Sequence, residues 1–143
     1  MTDSQRVGAE FVEAFNAHDE ARISELNAEN AVLEAPGDVR LEGREAVAQY
    51  AMAWLGAFPD ARVTVHNELE AGDWVVHEFT FEGTHTDTLS TPAGDIPATN
   101  RRLRGRGVQI LRIEAGTVAD TRLYFDQVQV LTQLGLMPEP STA

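Results

Sequence analysis

At 143 residues the chain is long enough for one domain with a real core and an internal pocket, and too short for two. Its formal net charge of −12 opposes binding to nucleic acid or to an anionic membrane, since phosphate contacts need a surplus of cations on one face. There is no cysteine, which excludes disulfides, thiolate metal sites and cysteine nucleophiles.

The opening MTDSQRVGAEF is acidic and polar where a secretory signal needs a basic start and an apolar stretch, and no apolar run approaches membrane-spanning length. A cytoplasmic protein with no membrane partner is expected. All 11 basic residues are arginine, and Arg101, Arg102, Arg104, Arg106, Arg112 and Arg122 fall in one segment. Arginines on a sheet face pairing with carboxylates such as Glu78 and Glu82, or with a second subunit, account for that stripe.

Ser4 or Asp3 is placed to cap a first helix in which Val7, Phe11 and Phe15 recur every four residues, giving one inward stripe. A second short helix runs from about Asp19 to Leu26 and buries Ile23 and Leu26. A strand over Ala31 to Glu34 is broken by the Pro36-Gly37-Asp38 turn. After Gly43 a third helix carries Val47, Tyr50, Ala51, Trp54 and Phe58 at helical spacing until Pro59 stops it.

From Arg62 the period changes to two. Val63, Val65, Asn67 and Leu69 share one strand face, and in the next strand Val75, His77, Phe79 and Phe81 do so. Aligning the apolar faces puts Asn67 and His77 on the same inner side. The segment from Gly83 to Asn100 is a long connection of the kind that rims a pocket. Val108 to Ile113 and Val118 to Phe125 then form a hairpin around Glu114-Ala115-Gly116-Thr117, and Asp126 caps a closing helix that ends at Gly135. The core spans about residues 5–136 of this one domain, and residues 137–143 form a loose tail.

Helices segregated from antiparallel strands predict an α+β fold. Three N-terminal helices across the concave side of a curved antiparallel sheet, with a short C-terminal helix, make a cone with an open mouth. Its uncovered sheet face predicts a homodimer.

The inward positions supply the candidates for chemistry. His77 among apolar neighbours can titrate near neutral pH and act as a base, or be a buried histidine satisfied by Asn67 or by backbone. Gln109, on the face with Leu111 and Ile113, can orient a substrate carbonyl. His85 and Asp87, two apart near a strand end, can pair at the rim or be loop polarity. Tyr50 and Trp54 offer a flat apolar wall for a small hydrophobic molecule, or ordinary core packing. Asp126 is a carboxylate at the mouth as well as a helix cap. Four scattered histidines give no spacing suited to a metal, and no cofactor is expected.

The element order resembles the cone-shaped fold of nuclear transport factor 2 and ketosteroid isomerase. The phrases FVEAFNAHD, WLGAFPDARVTV, EGTHTDTL, IPATNRRLRGRGV, ILRIEAGTVAD and YFDQVQVLTQLGL resemble the SnoaL-like polyketide cyclase family. In those cyclases a catalytic aspartate stands three places before the position of Asp126, assisted by a histidine on the preceding strand. The matching positions here hold Leu123 and Gln109, leaving Leu123 as part of the binding surface. The base of ketosteroid isomerase matches Ala35 and its first-helix tyrosine matches Phe11.

The resemblance implies a cofactor-free cyclase or isomerase doing acid–base chemistry next to a carbonyl of a hydrophobic, polyketide-like substrate. A non-catalytic binding or accessory protein of the same fold is the alternative that Leu123 supports. An epoxide hydrolase is a weaker one, since the inward positions lack the Asp-Arg-Asp arrangement it needs.

Overall fold

The computed structural model describes residues 2–137; of the expected loose tail, residues 138–143 lie outside them. Helix α1 (Asp3–Asn16) is capped one residue before the expected position. Thr2 accepts the Gln5 N–H, and the Gln5 side chain reaches back to the Thr2 N–H. Ser4 is used instead to fasten the helix to the sheet, its hydroxyl donating to the Gly72 carbonyl at 2.9 Å. At the other end the Asn16 amide both donates to and accepts from the Val63 backbone, at 2.9 and 2.8 Å.

Asp19 caps α2 (Glu20–Leu26), and strand β1 (Asn27–Ala35) follows without a loop, earlier than apolar spacing predicts. A strand that periodicity does not reveal, β2 (Val39–Glu42), folds back on β1 through the expected proline turn and pairs Leu41 with Leu33. Four residues are too few for alternation to register. Helix α3 (Arg44–Ala57) ends before Pro59 as expected.

The remaining strands are β3 (Arg62–Ala71), β4 (Trp74–Thr84), β7 (Arg102–Glu114) and β8 (Thr117–Phe125), with a small hairpin, β5 (Leu89–Thr91) and β6 (Gly94–Ile96), inside the long connection. The β7–β8 turn has Ala115 and Gly116 at φ of 50° and 76°, the left-handed pair that a two-residue hairpin needs. Helix α4 (Gln127–Gln133) closes the chain.

The main sheet has the order β2-β1-β8-β7-β4-β3 and is antiparallel except where β1 runs parallel to β8. It is curved, giving the mixed α+β architecture that the element order implies. Val7 of α1 seats on Val75, Leu111, Ile113 and Val118, while Leu26, Leu55 and Phe58 anchor a second cluster with Leu103 and Leu134. Of the arginine stripe, Arg102 pairs with Glu82 at 3.1 Å and Arg122 lies over the Trp74 ring at 5.2 Å. Glu78 has a different partner, described below. None of the helices among the described residues is long and apolar enough to cross a membrane.

Candidate active site

Between the helices and the concave side of the sheet lies a cavity of about 130 Å³. Alternation explains its wall: β8 turns Thr121, Leu123 and Phe125 inward, β4 turns Phe79 and Phe81, and α3 contributes Tyr50 and Trp54. Trp54 meets Phe81 and Phe125 edge to face, with centroids 5.6 and 5.7 Å apart. The expected aromatic wall is therefore present. Burial pushes the Tyr50 phenol above its ordinary range, so it remains a hydrogen-bond donor rather than a base.

One inner row of side chains crosses four strands: Leu123 on β8, Gln109 on β7, His77 on β4 and Glu68 on β3. Gln109 Nε2 lies 3.0 Å from His77 Nδ1, and His77 Nε2 lies 2.9 Å from a Glu68 carboxylate oxygen. A ring nitrogen facing a carboxylate carries the proton, so in the neutral ring Nδ1 accepts and the Gln109 amide donates.

Two expectations are corrected by this row. His77 is 1 % exposed and stands behind Gln109, outside the cavity wall, where α1 passes so closely that a Cβ on Gly8 would sit 3.3 Å from its ring. Gln109 lines the cavity; His77 does not. Asn67 is not on the inner face at all. A bulge after Val65 makes His66 the extra residue, so Glu68 rather than Asn67 faces His77, and Asn67 donates to Glu78 on the opposite side at 2.9 Å.

The rim pair is also corrected. His85 is fully buried, stacked on Phe58 with centroids 5.1 Å apart, and its Nδ1 lies 3.0 Å from the Thr99 hydroxyl and accepts the Thr99 N–H. Burial drives its pKa down. Asp87 is exposed and accepts the Thr88 N–H instead of binding the imidazole, and neither residue lines the cavity.

Asp126 is the cap of α4 and also stands at the cavity. One carboxylate oxygen accepts the Val128 and Gln129 N–H groups at 2.9 and 3.1 Å, capping α4, and the residue lines the exposed end of the cavity. Among the described residues it supplies the only carboxylate in that wall. No group of three or more His, Asp or Glu that could hold a metal occurs among them.

Sequence reasoning missed Glu68, because the bulge reverses its phase. It also missed Asn27 and Thr121, which line the cavity with oxygens that have no hydrogen-bond partner. The same change of phase turns Leu69, expected inside, outward, where it is 57 % exposed.

Among curated proteins no sequence match was found. Solved structures are similar over most of the chain. A proposed SnoaL-like polyketide cyclase from Jannaschia sp. CCS1 superposes with a TM-score of 0.82 at 18% identity, covering 95% of this chain and 94% of that one. IdmH, a proposed polyketide cyclase from Streptomyces antibioticus, gives 0.75 at 26%, covering 92% and 98%. An LEH-like epoxide hydrolase from M. tuberculosis gives 0.71 at 19%, covering 92% and 89%. The low-identity matches show a shared fold. A family model described as SnoaL-like polyketide cyclase matches residues 5–134, and the chain belongs to that family.

Proposed function

We propose that this chain is a cofactor-free enzyme of the cyclase or isomerase type, moving a proton next to a carbonyl of a hydrophobic, polyketide-like substrate. The observation that carries this reading is an oriented amide, Gln109, in the sheet wall of a largely apolar, aromatic cavity. In a site that excludes water, a fixed N–H aimed at a developing enolate oxygen is worth more than in solution. His77 acts from behind as a positioning residue, with Glu68 holding its ring. Asp126 is the proton acceptor: one oxygen is held by the helix N–H groups, and the second has no side-chain or backbone partner among the described residues.

The test is deuterium exchange from heavy water into the carbon next to the carbonyl of 2-tetralone, followed by NMR. Asp126→Asn keeps a capping side chain but loses the carboxylate, so exchange is expected to fall by roughly 10²-fold or more while the fold is retained. Gln109→Leu is expected to cost on the order of 10²-fold. Wild-type exchange in both variants overturns the assignment.

The second reading, a binding or accessory protein, is favoured by Leu123 standing directly across from Gln109. Its outcome in the same assay is a ligand that binds and is recovered unexchanged. On either reading a second copy covers the sheet face turned away from the helices. Trp74, Val76, Val108 and Ile110 alternate outward there, and Tyr124 is 54 % exposed. Sedimentation at micromolar concentration is expected to give a dimer, and a monomer overturns this part.

A further inference from the structure

Two oxygens in the cavity wall are unpaired. Asn27 is 1 % exposed and stands where α2 passes into β1. Its Nδ2 donates to the Ile23 carbonyl at 2.8 Å, which fixes the amide, because the flipped form would set two acceptors against each other. Its backbone is tied as well, the N–H to Ser24 and the carbonyl to Arg44 Nε at 2.8 Å. Oδ1 is therefore a held acceptor with no donor. Thr121, 4 % exposed, lies on β8 one inner row deeper than Leu123, opposite the fully buried Leu111, and its hydroxyl has no partner either. Both residues line the cavity. Unpaired buried oxygens weaken a fold, and leucine and valine would fill the same volumes without that penalty.

We infer that Asn27 and Thr121 form a subsite for a hydroxyl group on the ligand. A hydroxyl is the group that suits both oxygens, able to donate to Asn27 Oδ1 and to accept from the Thr121 O–H; a ligand carbonyl has no proton for Asn27, and an ammonium has no lone pair for Thr121. Neither oxygen has appreciable solvent surface of its own, so the surrounding wall shifts as the ligand enters. The inference rests on the reading of the cavity as a small-molecule site. It adds that the substrate is a hydroxylated ring compound whose hydroxyl end points away from Asp126.

The test compares 2-naphthol with 2-methoxynaphthalene, the same ring with its donor capped, by calorimetric titration. The wild type is expected to prefer the naphthol about tenfold, the range of one or two well-placed hydrogen bonds. That preference is expected to fall to about twofold or less in Asn27→Leu and in Thr121→Val. Thr121→Val keeps the side-chain shape and is expected to melt at or above the wild-type temperature, so it carries the test if Asn27→Leu folds poorly. Equal affinity of the wild type for the two probes, or a preference that survives in Thr121→Val, overturns the subsite alone. A water bridging the two oxygens that stays in place in a crystal of the naphthol complex does the same. Failure of both probes to bind overturns the small-molecule reading and the subsite with it.

Discussion

Replacing His77 by leucine tests whether the inner polar row holds the sheet together. The ring is 1 % exposed and leucine is of similar bulk, so the loss is one of hydrogen bonds rather than of volume. The bond between Nδ1 and the Gln109 amide is neutral and contributes about 1 kcal/mol. The bond from Nε2 to Glu68 has a charged acceptor and would contribute about 1.5–3 kcal/mol if buried. Glu68 is 33 % exposed, however, so its carboxylate is partly rehydrated when the ring goes, and the lower end of that range applies. His77→Leu is thus expected to lose about 2–3 kcal/mol, or roughly 6–12 °C in melting temperature for a chain of this size. Urea unfolding is the assay, with a lower midpoint at an unchanged slope. A variant within about 0.5 kcal/mol of wild type would refute the row as a structural element. Glu68→Gln, which keeps a neutral partner for the ring, is expected to lose less, about 1 kcal/mol.

The buried His85 makes the fold sensitive to mild acid. Because burial lowers its folded pKa, the unfolded chain takes up the proton first, so its contribution is complete above the unfolded value of about 6.5 and is lost as pH falls from there toward the folded value. Urea midpoints between pH 8 and 5 should drop more in wild type than in His85→Gln; equal drops would exclude His85. Asp60, held below the carboxylate range chiefly by the Thr84 N–H, affects only a more acidic range and does not confuse that comparison. Gly107→Ala is expected to destabilise by about 1–3 kcal/mol, since a Cβ there would stand 2.7 Å from the Phe79 ring and 3.1 Å from the Tyr124 carbonyl; a wild-type melting temperature would contradict it. Asp126→Ala is expected to cost about 1 kcal/mol through the lost cap while Asp126→Asn costs little, which thermal melts of the two variants would separate.

Where the sequence spoke through long periodic runs, it spoke correctly. The stripe of Val7, Phe11 and Phe15 did define α1, and Val75, His77, Phe79 and Phe81 do share one face of β4. Reading failed where one residue changes the phase. The bulge at His66 exchanged Asn67 for Glu68, and no local composition marks it, because the bulge is set by how β3 pairs with β4. Alternation named the right face for His77 but could not show that Gln109 stands between it and the cavity, since that depends on how far each side chain reaches across the row. His85 and Asp87 looked like a pair because they are close in sequence, whereas the connection folds back and brings Thr99 to the imidazole. Asn27 had no signal, since a polar residue between a helix and a strand reads as an ordinary loop position.

The parallel joining of β1 to β8 sets the order in which the molecule is completed. Leu33 finds Thr121 only after nearly the whole chain between them has been laid down. During synthesis the β1–β2 hairpin and the three N-terminal helices wait with an open strand edge, and long-range pairing of this kind slows folding. The hollow interior is not enclosed until β8, which supplies Thr121, Leu123 and Phe125 to its wall, lies beside β1. A polypeptide released before that strand emerges would have most of its walls and nothing enclosed by them.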